Sequence, residues 1–436
     1  ALIFSHHLKF LRFCERMVDQ NLMSDISIDY SFYDTPSDEF KDKGLGSLLP
    51  LWKFNYQPMR GMAITGLSWN SRYSDMFAAA FGSHDVTMRH RSGCVCIFSL
   101  KCPSHPEKVI SCKSGVCCVE FSPYRPHLLA VGLADGSVAV HDVRKAGSSP
   151  VAINKNSRLE HNDAVNQVKW LPDNIDGQPN FCSISADCKV IDWILAKTEL
   201  IPSEVLNLRE NELLAEERSI RKTNFTSCGT CISFNPETND LFLVGNENGL
   251  IQKYSNLSTA QYLETYIDHK NVVYNVQWNP HHSRVFLSCS ADWTIRIWDH
   301  CLKKSVFIFD LLNEVKDVTW APFSSSLFAA VTNDGKVHVF DILLNRQQPT
   351  ASYTLSSSKK IVNLTTVQFN TMKPIIMIGD DRGAVICFKL SPNLRSSLKV
   401  FQTIEKAKFA ALESEKMEKV LKLAKIPEPN EAITSE

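Results

Sequence analysis

The sequence predicts an all-β molecule, a closed seven-bladed β-propeller with an α-helix on either side of the ring. Three observations carry that reading. Strand-like runs end in an aromatic residue seven times, at Trp69, Phe121, Trp170, Phe234, Trp278, Trp320 and Phe369. Their spacings of 52, 49, 64, 44, 42 and 49 residues bracket the roughly 40 to 45 of one propeller blade. Tight-turn pairs recur between the runs, at Asp135-Gly136, Asp187-Cys188, Asn248-Gly249, Asp292-Trp293, Asp334-Gly335 and Arg382-Gly383. A hairpin turn of this kind needs positive φ, which suits Gly or a short polar side chain. One such unit has two apolar faces and buries neither, so the units must stack into a ring.

The elements follow in chain order. Residues 1–24 form an amphipathic helix with one apolar stripe through Phe4, Leu8, Leu11, Val18 and Leu22 and another through Ile3, Phe10, Cys14 and Met17. So wide an arc needs burial on more than one side. It either lies on the chain's own ring or is gripped by a separate subunit. Residues 25–47 are an acidic, turn-rich linker with too few branched apolar residues for a core, and it would tether the helix loosely. Leu48-Leu49-Pro50-Leu51-Trp52-Lys53-Phe54 is a strand ahead of the first full repeat. It is expected to close the ring as the outer strand of the last blade, beside Val362–Phe369, Ile375–Gly379 and Ala384–Leu390, which leaves no free edge at the seam.

The propeller is expected over 48–401. Its clearest unit runs from Val272 to Asp299, with Val276-Gln277-Trp278-Asn279-Pro280, a second apolar run ending in Ser288-Cys289-Ser290-Ala291-Asp292, and Ile295-Arg296-Ile297-Trp298-Asp299. This is the grammar of a WD repeat. Two insertions break it. Residues 81–91 are a long polar stretch in the first blade, and the charged Arg209–Lys222 accounts for the 64-residue gap. Long loops on a rigid scaffold are common contact sites, although a solvated charged loop is the more frequent case. A second amphipathic helix is expected over 402–426, with Met417, Val420, Leu421 and Ala424 on one face and Glu415/Lys419 and Glu418/Lys422 as charge pairs. Pro427 and Pro429 stop it, and 427–436 is expected to be a disordered tail.

Composition narrows the function classes. Lys plus Arg and Asp plus Glu are 47 each among 436 residues, so no global field favours nucleic acid or an acidic membrane. No apolar run reaches the ~20 residues needed to span a bilayer. The 14 cysteines are scattered, mostly inside predicted strands, which indicates a reduced setting. Cys228-Gly-Thr-Cys231 has metal-like spacing without a second ligand pair, so no metal is expected. The chain opens without Met, and sequence upstream of it is expected.

Catalysis is considered and set aside. His161, Asp187 and Trp193 recur with Ser183 or Ser185, and His269, Asp292 and Trp298 with Ser288 or Ser290. A Ser-His-Asp set invites a hydrolase reading. This one, however, occurs at equivalent positions of two repeats, which suits a structural hydrogen-bond network. No Gly-rich phosphate loop, paired-carboxylate motif or His-rich metal helix is found, so no cofactor is expected. His281-His282 follow an Asn-Pro turn and are expected to face water.

Several segments are more specific than the repeat grammar. They are Glu15-Arg16-Met17-Val18, Gly46-Ser47-Leu48-Leu49-Pro50-Leu51-Trp52-Lys53-Phe54, Trp320-Ala321-Pro322 with Phe328-Ala329-Ala330-Val331-Thr332, and Gly379-Asp380-Asp381-Arg382-Gly383 leading to Leu390-Ser391-Pro392-Asn393-Leu394-Arg395. Through them almost the whole chain resembles the WD-repeat intermediate chains of axonemal outer-arm dynein. The resemblance implies a non-catalytic scaffold subunit in the cytoplasm and in the cytoskeleton of the ciliary or flagellar axoneme. Its implied partners are the dynein heavy-chain tail, a second intermediate chain, and roadblock-type and other dynein light chains. A roadblock-type light chain would sit on the opening helix, making Phe4, Leu8, Leu11, Val18 and Leu22, with Trp52 on the rim, the candidate contacts. Alternatives are an inner-arm or cytoplasmic dynein intermediate chain, or a generic WD-repeat adaptor such as a ubiquitin ligase substrate receptor. The last would bind at the central opening instead of along the rim.

Overall fold

The computed structural model describes residues 46–423 apart from 84–90, 146, 155–158, 175, 198, 209–227, 239, 257–261 and 356–361, together with 7, 8, 10, 11, 13–15, 17, 18, 30 and 38. Its strands form seven four-stranded antiparallel sheets arranged as the blades of a propeller. Blade 5 shows the pattern. It runs from the channel outward through Val273–Trp278, Val285–Ser290, Thr294–Asp299 and Phe307–Asp310. The second strand of a blade is covered by neighbouring blades on both faces, so Leu327–Thr332 and Val285–Ser290 are buried at every position. That double burial is why these strands read as unbroken apolar runs. The outer strand is only half covered, and in blade 2 it shrinks to Ala152–Ile153. Blade 3 carries Pro202 in its outer strand, Glu199–Asn207, where a missing N–H costs no ladder bond on the open side.

The ring closes as the sequence predicts. Leu48–Asn55 pairs antiparallel with Ala384–Leu390, from Leu48 opposite Leu390 to Asn55 opposite Ala384, and completes the sheet that holds Ile375–Asp380 and Leu364–Phe369. The register slips between Pro50 and Trp52, beside the one residue of that strand that cannot donate a ladder bond. The positive-φ turn position is filled by Gly136, Gly249, Gly335 and Gly383, and also by Cys188 at φ 68 and Trp293 at φ 70. At Gly136 a Cβ would stand 2.3 Å from the His161 carbonyl oxygen, so glycine is required there for space as well as for φ.

The aromatic anchors share one environment. Trp69, Phe121, Trp170, Trp278, Trp320 and Phe369 are buried, and Phe234 is half-buried against the core shared by blades 3 and 4. Trp320 meets Phe328 edge-on with ring centroids 5.6 Å apart.

The chain beyond the ring differs from expectation in three ways. The last strand ends at Leu390, and a helix over Ser396–Thr403 follows, so the boundary drawn at 401 falls inside that helix. Leu394 and Leu398 are buried against the last blades, which gives the segment a helical rather than a strand-like apolar period. The helix expected from 402 therefore begins as a separate element, Lys406–Leu423. His281 and His282 do not face water. His282 is buried, its Nδ1 accepting the Arg284 N–H at 3.2 Å, and His281 is half-buried, with Nε2 2.9 Å from the Pro322 carbonyl and its ring edge-on to Phe409. The C-terminal helix covers this turn, a cover that the local Asn-Pro-His-His pattern does not announce. Burial lowers the titration of both imidazoles. The linker, expected as a loose tether, touches the rest of the chain at Tyr30 and Ser47. Tyr30 is buried with its ring 5.0 Å from Trp52 and beneath Lys373 Nζ at 4.9 Å, and Ser47, whose hydroxyl donates to Asp38 Oδ1 at 2.6 Å, exchanges bonds of 3.1 Å with Ser391 just past the last strand.

Candidate partner-binding surfaces

Antiparallel blades give the ring two unlike faces. Turns between first and second strands lie on one, here called lower, and turns between second and third strands on the other. The C-terminal helix Lys406–Leu423 lies on the lower face because its apolar side fits there. Met417 and Val420 are buried in the core of blades 5 and 6, and Phe409 packs on Phe401. Its buried Glu413 accepts the Ser325 N–H at 2.7 Å, while the Ser325 hydroxyl lies 2.8 Å from both the Glu413 carboxylate and its carbonyl oxygen. Lys416 Nζ joins Ser324 Oγ at 2.9 Å, so the charge at Glu413 is compensated on two sides.

The opening helix behaves differently. Residues 7, 8, 10, 11, 13–15, 17 and 18 are helical, and Leu8, Phe10, Leu11, Phe13, Met17 and Val18 are all more than half exposed. The helix meets the ring through Glu15, whose carboxylate lies 3.2 Å from His105 Nε2 on the lower side of blade 1. These six side chains are therefore left uncovered by the described part of this chain. Phe4 and Leu22 lie outside the described residues. Trp52, the rim candidate, is half-buried beneath Tyr30. The Arg209–Lys222 insertion lies outside the described residues, as do 84–90 of the first-blade loop; Phe81, at the start of that loop, is a buried strand residue.

The two His-Asp-Ser-Trp sets are near copies. In blade 5 the Trp298 indole N–H donates to Ser288 Oγ at 2.8 Å, Ser288 Oγ lies 2.7 Å from His269 Nε2, and His269 Nδ1 lies 2.9 Å from Asp292. With the indole donating, the hydroxyl proton goes to Nε2 and the Nδ1 proton to the carboxylate, so every group is satisfied. The second set repeats this with Trp193, Ser183, His161 and Asp187 at 2.7, 2.7 and 3.2 Å. Both serines are fully buried beneath tryptophan, out of a substrate's reach. Burial lowers the His269 titration. At Asp292 burial pushes upward, but hydrogen bonds from His269, Thr294 and the Lys270 backbone outweigh it and hold the carboxyl well below the usual range. Ser185 and Ser290 serve elsewhere, donating to the Asp163 and Asn271 carbonyls.

The central channel, about 1190 Å³, is lined by the inner strands. Its polar side chains stitch blade to blade. Glu120 accepts the Trp170 backbone N–H at 2.7 Å and pairs with Lys169, Gln277 accepts the Trp320 N–H at 2.9 Å, and Asp317 accepts the Val367 N–H at 2.8 Å and the Asn275 amide at 2.7 Å. Burial pushes the Asp317 carboxyl up to about 6.

Sequence reasoning missed a further set on the lower face. Asn70, Asn235, Asn279 and Asn370 each follow an aromatic anchor, and each donates its amide to the next blade's turn, at the Pro126, Ser283, Ser325 and Ser74 carbonyls, 2.6 to 2.9 Å away. Their Oδ1 atoms accept backbone N–H groups of their own turns. The signal was present, because an aromatic-Asn pair occurs at four of the seven anchors.

Among the described residues, no group of His, Cys, Asp and Glu is placed to hold a metal ion, and no helix is long and apolar enough to cross a membrane. The described residues thus form a WD-repeat propeller in which recurrent polar side chains bind blade to blade. The family model "WD domain, G-beta repeat" matches residues 94–142 and 260–299. The chain is 42% identical over 411 residues to "Dynein axonemal intermediate chain 1" of Bos taurus, covering 94% of this chain and 58% of the relative. It is 42% identical over 424 residues to "Dynein intermediate chain 2, ciliary" of Heliocidaris crassispina, covering 97% and 60%. It is 40% identical over 418 residues to "Dynein, 78 kDa intermediate chain, flagellar outer arm" of Chlamydomonas reinhardtii, covering 94% and 60%. The chain is thus similar over nearly its whole length to axonemal dynein intermediate chains, and it spans about three-fifths of the length of these relatives.

Proposed function

We propose that this chain is a non-catalytic scaffold subunit of an axonemal outer-arm dynein, working in the axoneme of a cilium or flagellum. The observation that carries the reading is its 40 to 42% identity, over nearly its whole length, to relatives named as ciliary and flagellar outer-arm intermediate chains. The ring would hold the heavy-chain tail and a second intermediate chain, and the opening helix would carry a roadblock-type light chain, with other light chains in the same assembly. A rigid ring with two faces and a rim holds several partners at fixed angles, so each binding event raises the effective concentration of the next. Force generation would belong to the heavy chain. The substrate-receptor reading draws little support from the channel, where Glu120, Gln277 and Asp317 are engaged in blade-to-blade bonds. Mass spectrometry of the proteins that purify with this chain from ciliated cells tests the proposal. Outer-arm heavy chain and light chains are expected. Recovery of ubiquitin ligase subunits, or of inner-arm heavy chains alone, contradicts it.

A further inference from the structure

The Cys188 and Cys228 sulfurs lie 3.6 Å apart although 40 positions separate the residues in sequence. Cys188 sits in the upper turn of blade 3, and Cys228 immediately precedes the inner strand of blade 4, Gly229–Phe234, so the pair spans the seam between two blades. Both backbones are fixed. The Cys188 N–H donates to the Ser185 carbonyl and its own carbonyl accepts the Leu208 N–H, while the Cys228 carbonyl accepts the Glu247 N–H from the upper turn of blade 4 itself.

Two further observations single the pair out. Cys188 holds φ 68 at a turn position where four other blades place glycine, a conformation that L side chains rarely adopt and that collects at functional positions. It is fully buried, whereas Cys228 is half-buried and reachable from solvent. Another close thiol pair among the described residues lacks both seam and access. Cys94 and Cys96 lie 3.7 Å apart, but both are fully buried on one strand, and the hydrogen bond shared with Cys94 together with burial holds Cys96 as a thiol. Cys231, whose spacing from Cys228 resembles a metal or redox pair, is buried with its sulfur 3.6 Å from the Thr230 hydroxyl.

We propose that Cys188 and Cys228 form a reversible disulfide modification site, oxidised by hydrogen peroxide, that joins blades 3 and 4 covalently. The Cys228 thiolate attacks a peroxide oxygen, breaking the O–O bond and giving a sulfenic acid and, with a proton taken up, water. The Cys188 sulfur then attacks the sulfenic sulfur, loses its proton and expels hydroxide, which leaves as a second water. Two electrons pass from the sulfurs to the peroxide, and each chain loses two hydrogen atoms. The sulfurs must close from 3.6 Å to the ~2.05 Å of a disulfide. Two small-thiol molecules, or one dithiol, reverse the step by exchange through a mixed disulfide and leave as a disulfide, giving their two hydrogens to the cysteines.

The test is peroxide titration of the intact chain, alkylation of the remaining thiols, and peptide mapping without reductant. A Cys188–Cys228 linked peptide is expected, lost on adding dithiothreitol and lost in Cys228→Ser. It should also be lost in Cys188→Gly, which suits the positive φ and should fold. Sulfinic acid at Cys228 without a link, a link from Cys228 to Cys231, or equal linking rates in native and urea-unfolded chain would each overturn the proposal.

Discussion

His269 is buried between a carboxylate and a serine, and its environment sets a pH dependence with a definite sign. Burial lowers its titration in the fold, so below the unfolded value of 6.5 the unfolded chain takes up a proton that the folded ring resists. That share of stability is fully present above pH 6.5 and is lost as pH falls. Asp292, held low, adds stability above 3.8 that disappears only as pH drops through its folded value. The thermal midpoint should therefore be flat above pH 7, begin to fall near 6.5, and fall again in strong acid. His269→Gln should make the first descent shallower, with the other buried imidazoles such as His282 and His338 keeping the remainder, which calorimetry across pH checks. The Asn ladder makes a second prediction at this scale. Asn279→Ala removes the bond to the Ser325 carbonyl and the acceptor for the His281 N–H. It should cost about 1 to 3 kcal/mol in urea unfolding, since buried partners are left unpaired. An unchanged midpoint would show the ladder to be idle. The His-Asp-Ser-Trp sets could be read from sequence because they recur as whole sets. The ladder escaped because an asparagine after an aromatic also reads as an ordinary turn residue, and only the neighbouring blade reveals its partner.

Blades and helices differ in how much of them is local. The second strands were legible because burial on both faces makes their apolar runs continuous, and the inner strands because each runs to an aromatic anchor. The two-residue outer strand of blade 2 was not, since such a strand carries almost no periodic signal. The closing strand was legible because a strand-like run stood alone ahead of the first repeat, and deleting 48–55 should leave Ala384–Leu390 with an open edge and the ring prone to aggregate. Light scattering on the deletion variant checks this. Trp320 anchors blades 5 and 6, and Trp320→Ala should cost about 3 to 5 kcal/mol by the large-to-small rule. Wild-type thermal stability in that variant would overturn its assignment as a core anchor. The C-terminal helices were read one element short. Their dividing line depends on Leu398 and Phe409 finding places on the ring, a tertiary fact that helix propensity does not contain.

At the scale of the whole molecule, the flanking segments described in the structure lie on the lower side of the ring. The C-terminal helix is sealed there, while the opening helix keeps six large apolar side chains more than half exposed. An arc of that kind calls for a partner. Leu11→Glu with Val18→Glu would place two charges in the proposed interface, at roughly 2 to 7 kcal/mol if the groups are buried unpaired. The double variant should lose capture of the roadblock-type light chain with the propeller's melting temperature unchanged. The family was legible from the segments around the closing strand and the last blade, but the partner surfaces were not, because exposed side chains carry no periodic constraint. The central claim is that the ring holds the heavy-chain tail by an extended mixed surface, burying well above ~1,200 Å² as lasting assemblies do. Co-sedimentation of the intact chain with a heavy-chain tail fragment across a salt series tests it most directly. A complex that persists toward ~1 M salt, where the screening length is ~3 Å, is predicted. Dissociation already near ~0.2 M, where surface charge pairs are only partly screened, would contradict it.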